Sequence, residues 1–160
     1  MNEQQHLVAR ADIGELLAQY AAGLDFVDRE VFESCHTDPV NIDFGSFDAT
    51  CVKAMTAAEW ADWCWDHIVG LDSTQHIMGN YRMTFFGADE ARVMAYVQAV
   101  HYIRDFGAYT AGGYYTNRVV RTEAGWRFAR LRFTLTWESG DRGIFDVGRN
   151  RPAGTRVRPQ

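Results

Sequence analysis

His76, in the stretch STQHIMGN at the mouth of an extended apolar segment, and His101, in AYVQAVHYI, are imidazoles where aliphatic side chains would pack equally well. An imidazole takes up and releases a proton near neutrality, so two of them on neighbouring strands mark a place where protons can be moved. Side chains alternate along a strand. His76 therefore shares a face with Met78 and Asn80, and His101 shares one with Val93, Ala95, Val97, Ala99 and Ile103. Asp25, in QYAAGLD, lies just beyond the first helix, where the chain turns toward the sheet. As a loop aspartate it caps the next turn. As a site residue it accepts the Nδ1 hydrogen of an imidazole, fixes the tautomer and stabilises the ring once protonated. Two histidines and an aspartate can also form a facial set for iron, although no ligand pair has the short H-x-H spacing.

Several elements must position these groups. Apolar residues recur at Ile13, Leu16, Leu17, Tyr20, Ala21 and Leu24, one face of an amphipathic helix from about Gln5 to Ala22, with Gly23 as its expected stop. Asp28 caps a short second helix carrying Val31 and Phe32, and HTDPVNIDFGSF reads as a turn and a strand through about Phe44. Thr56 and Glu59 form the capping box of a third helix, whose Trp60, Trp63, Trp65 and Ile68 supply packing mass. After Leu71 the pattern becomes extended: Thr74 to Phe86, Arg92 to Arg104, Tyr109 to Thr122 and Trp126 to Ser139, separated by turns such as GADEA and TEAG. Helices first and a meander of long strands afterwards define an α+β fold, with the helices on one face of a curved sheet. Residues 1–140 form the domain; residues 141–160 read as a solvated, partly disordered tail.

Composition excludes other classes. The net charge of -5, with arginines spread along the chain, disfavours a nucleic-acid partner. The start MNEQQHLVAR has neither a basic opening nor a long apolar core, and no apolar run approaches a membrane span, so a cytoplasmic location is the expectation. Cys35, Cys51 and Cys64 form no C-x-x-C pair and read as reduced, buried small hydrophobes. TAGGYY falls in a strand or hairpin turn rather than before a helix, so nothing here cradles a nucleotide phosphate, and no nucleophilic serine or cysteine motif is present. The expectation is chemistry without a cofactor.

The segments IGELLAQYAAGLD, STQHIMGN, AYVQAVHYI, GGYYTNRVVRTEAGWRF and RLRFTLTW, in that order, resemble the SnoaL-like branch of the nuclear-transport-factor-2-like superfamily. The resemblance covers the chain from the first helix to about Trp137. It implies a cone of three N-terminal helices on a strongly curved, mostly antiparallel sheet, an apolar pocket inside, and a homodimer or homotrimer. Scytalone dehydratase, bile acid 7α-dehydratase and hexachlorocyclohexane dehydrochlorinase look similar, and their shared aspartate and histidine match Asp25 and His76. His101 matches the second pocket histidine of the scytalone dehydratase pattern, and Tyr20 the pocket tyrosine of the bile acid dehydratase pattern. Leu24 and Leu131 depart, standing where the first relative has a tyrosine and the dehydrochlorinase an arginine.

The resemblance therefore implies a His76–Asp25 dyad that abstracts a proton from carbon, with elimination from a small apolar, cyclic or aromatic substrate as the expected reaction. Isomerisation or polyketide-type cyclisation on the same dyad, or a non-catalytic binding or dioxygenase-β-like subunit, are the alternatives. Tyr20, Phe26, Trp63, Tyr81, Tyr102, Tyr114 and Phe133 can line a pocket or fill a core, and Asn117 is a further polar candidate; which face of its strand points inward is open.

Overall fold

The apolar stripe of the N-terminal segment forms helix α1 (Glu3–Asp25) in a computed structural model that describes residues 1–154. Asn2 and Gln5 close its N-terminus as a reciprocal capping box, at 2.8 and 2.9 Å. Contrary to expectation, Gly23 does not end the helix. It is a close-approach glycine, because a Cβ there would lie 2.9 Å from that of Phe32 on α2 (Arg29–Ser34). The helix runs on to Asp25, and Val27, at φ 53°, turns the chain away. Asp25 is thus the last residue of a rigid helix rather than part of a loop.

Asp28 caps α2 through the Val31 N–H, and Thr56 and Glu59 cap α3 (Ala57–Ile68), both as the sequence indicated. Between them run β1 (His36–Asp43) and the short β2 (Val52–Met55), which pair antiparallel. Three of the four β2 residues are exposed, so β2 has no alternation to announce it. Four long strands follow: β3 (Ser73–Phe85), β4 (Glu90–Ile103), β5 (Gly107–Thr122) and β6 (Gly125–Ser139).

The six strands form one sheet in the order β2-β1-β6-β5-β4-β3, antiparallel except where β1 runs parallel to β6. Register shifts at Gly79/Arg82, Gly112/Gly113 and Arg118/Val119 bend it. The helices cover its concave side, α1 against β3 and β6 and α3 against β1 and β2. On that side β4 presents Ala91, Val93, Ala95, Val97, Ala99, His101 and Ile103, all buried. So many short side chains leave room between sheet and helices.

The segment read as a solvated tail contains a short helix, α4 (Ile144–Arg149), whose Ile144 and Phe145 are buried against α3 and β4. Too short to show a helical period, it is fixed by docking: Arg149 pairs with Asp66 at 2.7 Å and Arg151 with Asp72 at 2.9 Å. The expected disorder of the last residues falls on 155–160, outside the described residues. Among the described residues no helix is long and apolar enough to cross a membrane.

Candidate active site

Asp25, at the end of α1, and His76, at the start of β3, meet although 51 positions apart. Asp25 Oδ1 lies 2.7 Å from His76 Nδ1 and accepts a second hydrogen bond from Thr74 Oγ1 at 2.9 Å, while Oδ2 accepts the His76 backbone N–H at 2.8 Å. The carboxylate therefore holds both the ring and the main chain of the same histidine. A carboxylate offers no hydrogen, so Nδ1 carries one, and in the neutral ring Nε2 keeps its lone pair. The two side chains are 8% and 15% exposed, dry enough for the pairing to be felt and open enough on one side for a ligand.

In the β3–β4 ladder His76 stands opposite Ala99, and Thr74 opposite His101. The two imidazoles are diagonal neighbours, meeting edge to face with ring centroids 5.7 Å apart. His101 also packs on Phe145 and Tyr109. The Tyr109 hydroxyl donates to Glu138 at 2.7 Å, and burial pushes this phenol up to about 12.

His76 and His101 border a cavity of about 70 Å3 between sheet, α1, α3 and α4. Tyr20, Trp63 and Phe133 line it. Burial raises the Tyr20 phenol well above its ordinary value, and it does the same to Tyr115, so both remain neutral donors at physiological pH. Two hollows of about 350 and 310 Å3 are roomier, but they lie among charged side chains away from the histidines.

Two candidates do not reach the cavity. Tyr114 and Asn117 are three positions apart on one strand and so face opposite sides. Tyr114 pairs with Tyr96 on the outer face, and its neighbour Tyr115 takes the inner position. Asn117 faces the core beyond Tyr115, 1% exposed and with neither amide atom hydrogen-bonded, but it does not line the cavity. Tyr81 and Tyr102 are exposed, and Phe26 lies outside the lining. Asn80 leaves the face of His76 because it sits in the β3 bulge at φ 49°.

Thr74, Tyr115, His67 and Phe145 also belong to the site or its wall. Thr74 was legible, since period two puts it on the face of His76; Phe145 was not, because nothing local indicates that α4 docks. His67 has its Nδ1 2.8 Å from the Trp63 carbonyl, and burial lowers its pKa, so it enters the wall as a neutral ring. Among the described residues no three His, Cys, Asp or Glu side chains are grouped to hold a metal ion.

A SnoaL-like domain model matches residues 5–132, and the chain belongs to that family. No curated protein matches it in sequence. Among solved structures it is similar to the Kfla4162 protein of Kribbella flavida, at 24% identity and TM-score 0.82 over 88% of this chain and 99% of that one. A candidate scytalone dehydratase of Novosphingobium aromaticivorans superposes with TM-score 0.78 at 18% identity, over 99% of this chain and all (100%) of the other. The type 3 hexachlorocyclohexane dehydrochlorinase of Novosphingobium barchaimii gives TM-score 0.72 at 17% identity, over 89% and 96% of the two chains. These likenesses establish the fold, a nuclear-transport-factor-2-like one shared with a dehydrochlorinase.

Proposed function

We propose that this chain is a lyase of the dehydratase type, acting on a small apolar cyclic or aromatic compound. The observation that carries the reading is the Asp25–His76 contact on the wall of an apolar cavity, which leaves Nε2 as the acceptor. Nε2 takes a proton from a carbon next to a carbonyl or ring, and Asp25 balances the imidazolium that results. The C–H electron pair becomes the new double bond, and a hydroxyl one carbon away departs as water with a proton from His101. Tyr20 donates a hydrogen bond to the substrate. The electrons stay within the substrate, so the step needs no redox partner and no cofactor. Trp63 and Phe133 supply the apolar walls. A homodimer or homotrimer is part of the same proposal, as is a cytoplasmic location.

If the proton returns to another carbon, the same dyad yields an isomerase or cyclase. Both outcomes begin with proton abstraction, which can be measured without knowing the leaving group. A small enolisable ring such as cyclohexanone is incubated with the protein in D2O, and exchange at the α-carbon is followed by NMR. Exchange above the buffer rate, lost in His76→Gln, is the expected result. The wild type giving no more exchange than His76→Gln, across a panel of cyclic ketones, would overturn the reading in favour of a binding or subunit role.

A further inference from the structure

The convex side of the same sheet collects charge in a way the alternating pattern does not require. Arg92 on β4 stands directly opposite Arg118 on β5, and Arg118 directly opposite Arg130 on β6, with Arg132 two residues further along β6. Side chains opposite one another in a ladder are about 4.5–5.5 Å apart at Cβ, and like charges so placed destabilise the sheet. Here that arrangement occurs in two successive ladders of a chain whose net charge is -5.

Neighbouring carboxylates offset only part of it. Glu90 engages Arg118 in a two-pronged contact at 2.9 and 2.7 Å. A single Asp43 oxygen serves both Arg130, at 3.2 Å, and Arg132, at 3.4 Å. Arg92 lies 5.8 Å from the centre of the Phe86 ring and has no ion pair among the described residues. Four guanidinium groups, with only Glu90 and Asp43 to pair with, thus border a hollow of about 350 Å3 whose wall also includes Glu90, Thr116 and the exposed Phe86. The guanidinium forks have N–H donors to spare, and their planar geometry suits the paired oxygens of a phosphate or carboxylate.

We infer that this outer groove is a binding site for a small dianion, a metabolite carrying a phosphate or a pair of carboxylates, held by Arg92, Arg118, Arg130 and Arg132. The volume fits a small molecule rather than a polymer, and the acidic chain as a whole opposes nucleic acid. The site is independent of the dyad, which faces the other side of the sheet.

Isothermal titration at low ionic strength with inorganic phosphate, and separately with citrate, tests this on the intact chain. The expected result is saturable binding of at least one anion. It should weaken with added salt, fall at least about tenfold in Arg92→Ala/Arg132→Ala and in the milder Arg132→Gln, and persist in Asp25→Asn. Response to phosphate alone identifies a phosphate ester as the ligand class; response to citrate alone identifies a carboxylate. Absence of saturable binding, or equal binding by the arginine variants, overturns the inference. So does a change of molar mass in light scattering when the arginines are removed, since the row would then be a contact between copies of the chain.

Discussion

The two faces of strands β4 to β6 are built from alternate residues of the same segments yet have opposite characters. Inward, β4 and β5 present alanines and valines, His101, Tyr109 and Tyr115; outward, they present Arg92, Arg118, Tyr96 and Tyr114. The inner face gains space from small side chains and places a few polar groups around it. The outer face keeps large and charged groups in water, where they are screened. The contrast teaches that a polar group on the inner face is paired, held neutral or left to a ligand, whereas one on the outer face is cheap to keep.

The sharpest way to break that comparison is to disable the inner dyad. His76→Gln should lower proton abstraction by about 10²–10⁴-fold, read from the exchange rate, while Asp25→Asn should leave the ring in place and lower it less. The tautomer gives an independent readout. Long-range 1H–15N spectra of the neutral ring in wild type should show its hydrogen on Nδ1, and Asp25→Asn should populate the other tautomer.

Next in size is acid sensitivity. His36 is buried against Tyr20, Phe32 and Phe128, and its ring nitrogens make no well-formed hydrogen bond. Burial pushes its pKa down to about 4, with the nearby Phe32 and Glu33 carbonyls offsetting only part of the cost. The unfolded chain, with an ordinary imidazole, binds the proton first. The neutral ring's contribution is therefore complete above about pH 6.5 and is lost as pH falls toward about 4. That loss is on the order of 3 kcal/mol, and His36→Phe should abolish this component of the pH dependence in denaturant melts.

A smaller effect separates the same carboxylate's structural and chemical roles. Asp25→Ala removes the acceptor of the His76 main-chain N–H and of the Thr74 hydroxyl, and should cost about 2–3 kcal/mol in urea unfolding, more than Asp25→Asn, which still offers an oxygen. The finest test compares neighbours. Tyr115→Phe should cost about 1 kcal/mol by removing a phenol that interacts with Tyr20, whereas Tyr114→Phe on the outer face should stay within about 0.5 kcal/mol. Equal costs would mean that the two faces are not distinguished in this way.

Much of the scaffold was legible because its signals are local. The Thr56–Glu59 capping box, the Asp28 cap and the alternation through Val93 to Ile103 each depend on residues a few positions apart. Where such signals misled, long-range contact had won. Gly23 lies inside the helix, its missing side chain making room for Phe32, and the segment after Gly143 is a helix docked on α3 and β4 through Ile144 and Phe145. The assignment of Tyr114 and Asn117 to one pocket conflicted with period two itself, a conflict that parity along β5 would have exposed.

By itself the sequence determined the first three helices and the four long strands, but not α4, and it placed His76 and His101 on strands and Asp25 near a helix end. Those properties follow from periodicity and caps, which act over a turn or two of chain. Only the tertiary structure decided that Asp25 reaches Nδ1 of His76, that Thr74 shares its oxygen, that Tyr115 rather than Tyr114 faces the cavity and that Phe145 helps to wall it. Each of these depends on strand register and on where a helix lands on the sheet. Register is set by the whole set of pairings and bulges, and a shift of one residue would turn every side chain to the other face.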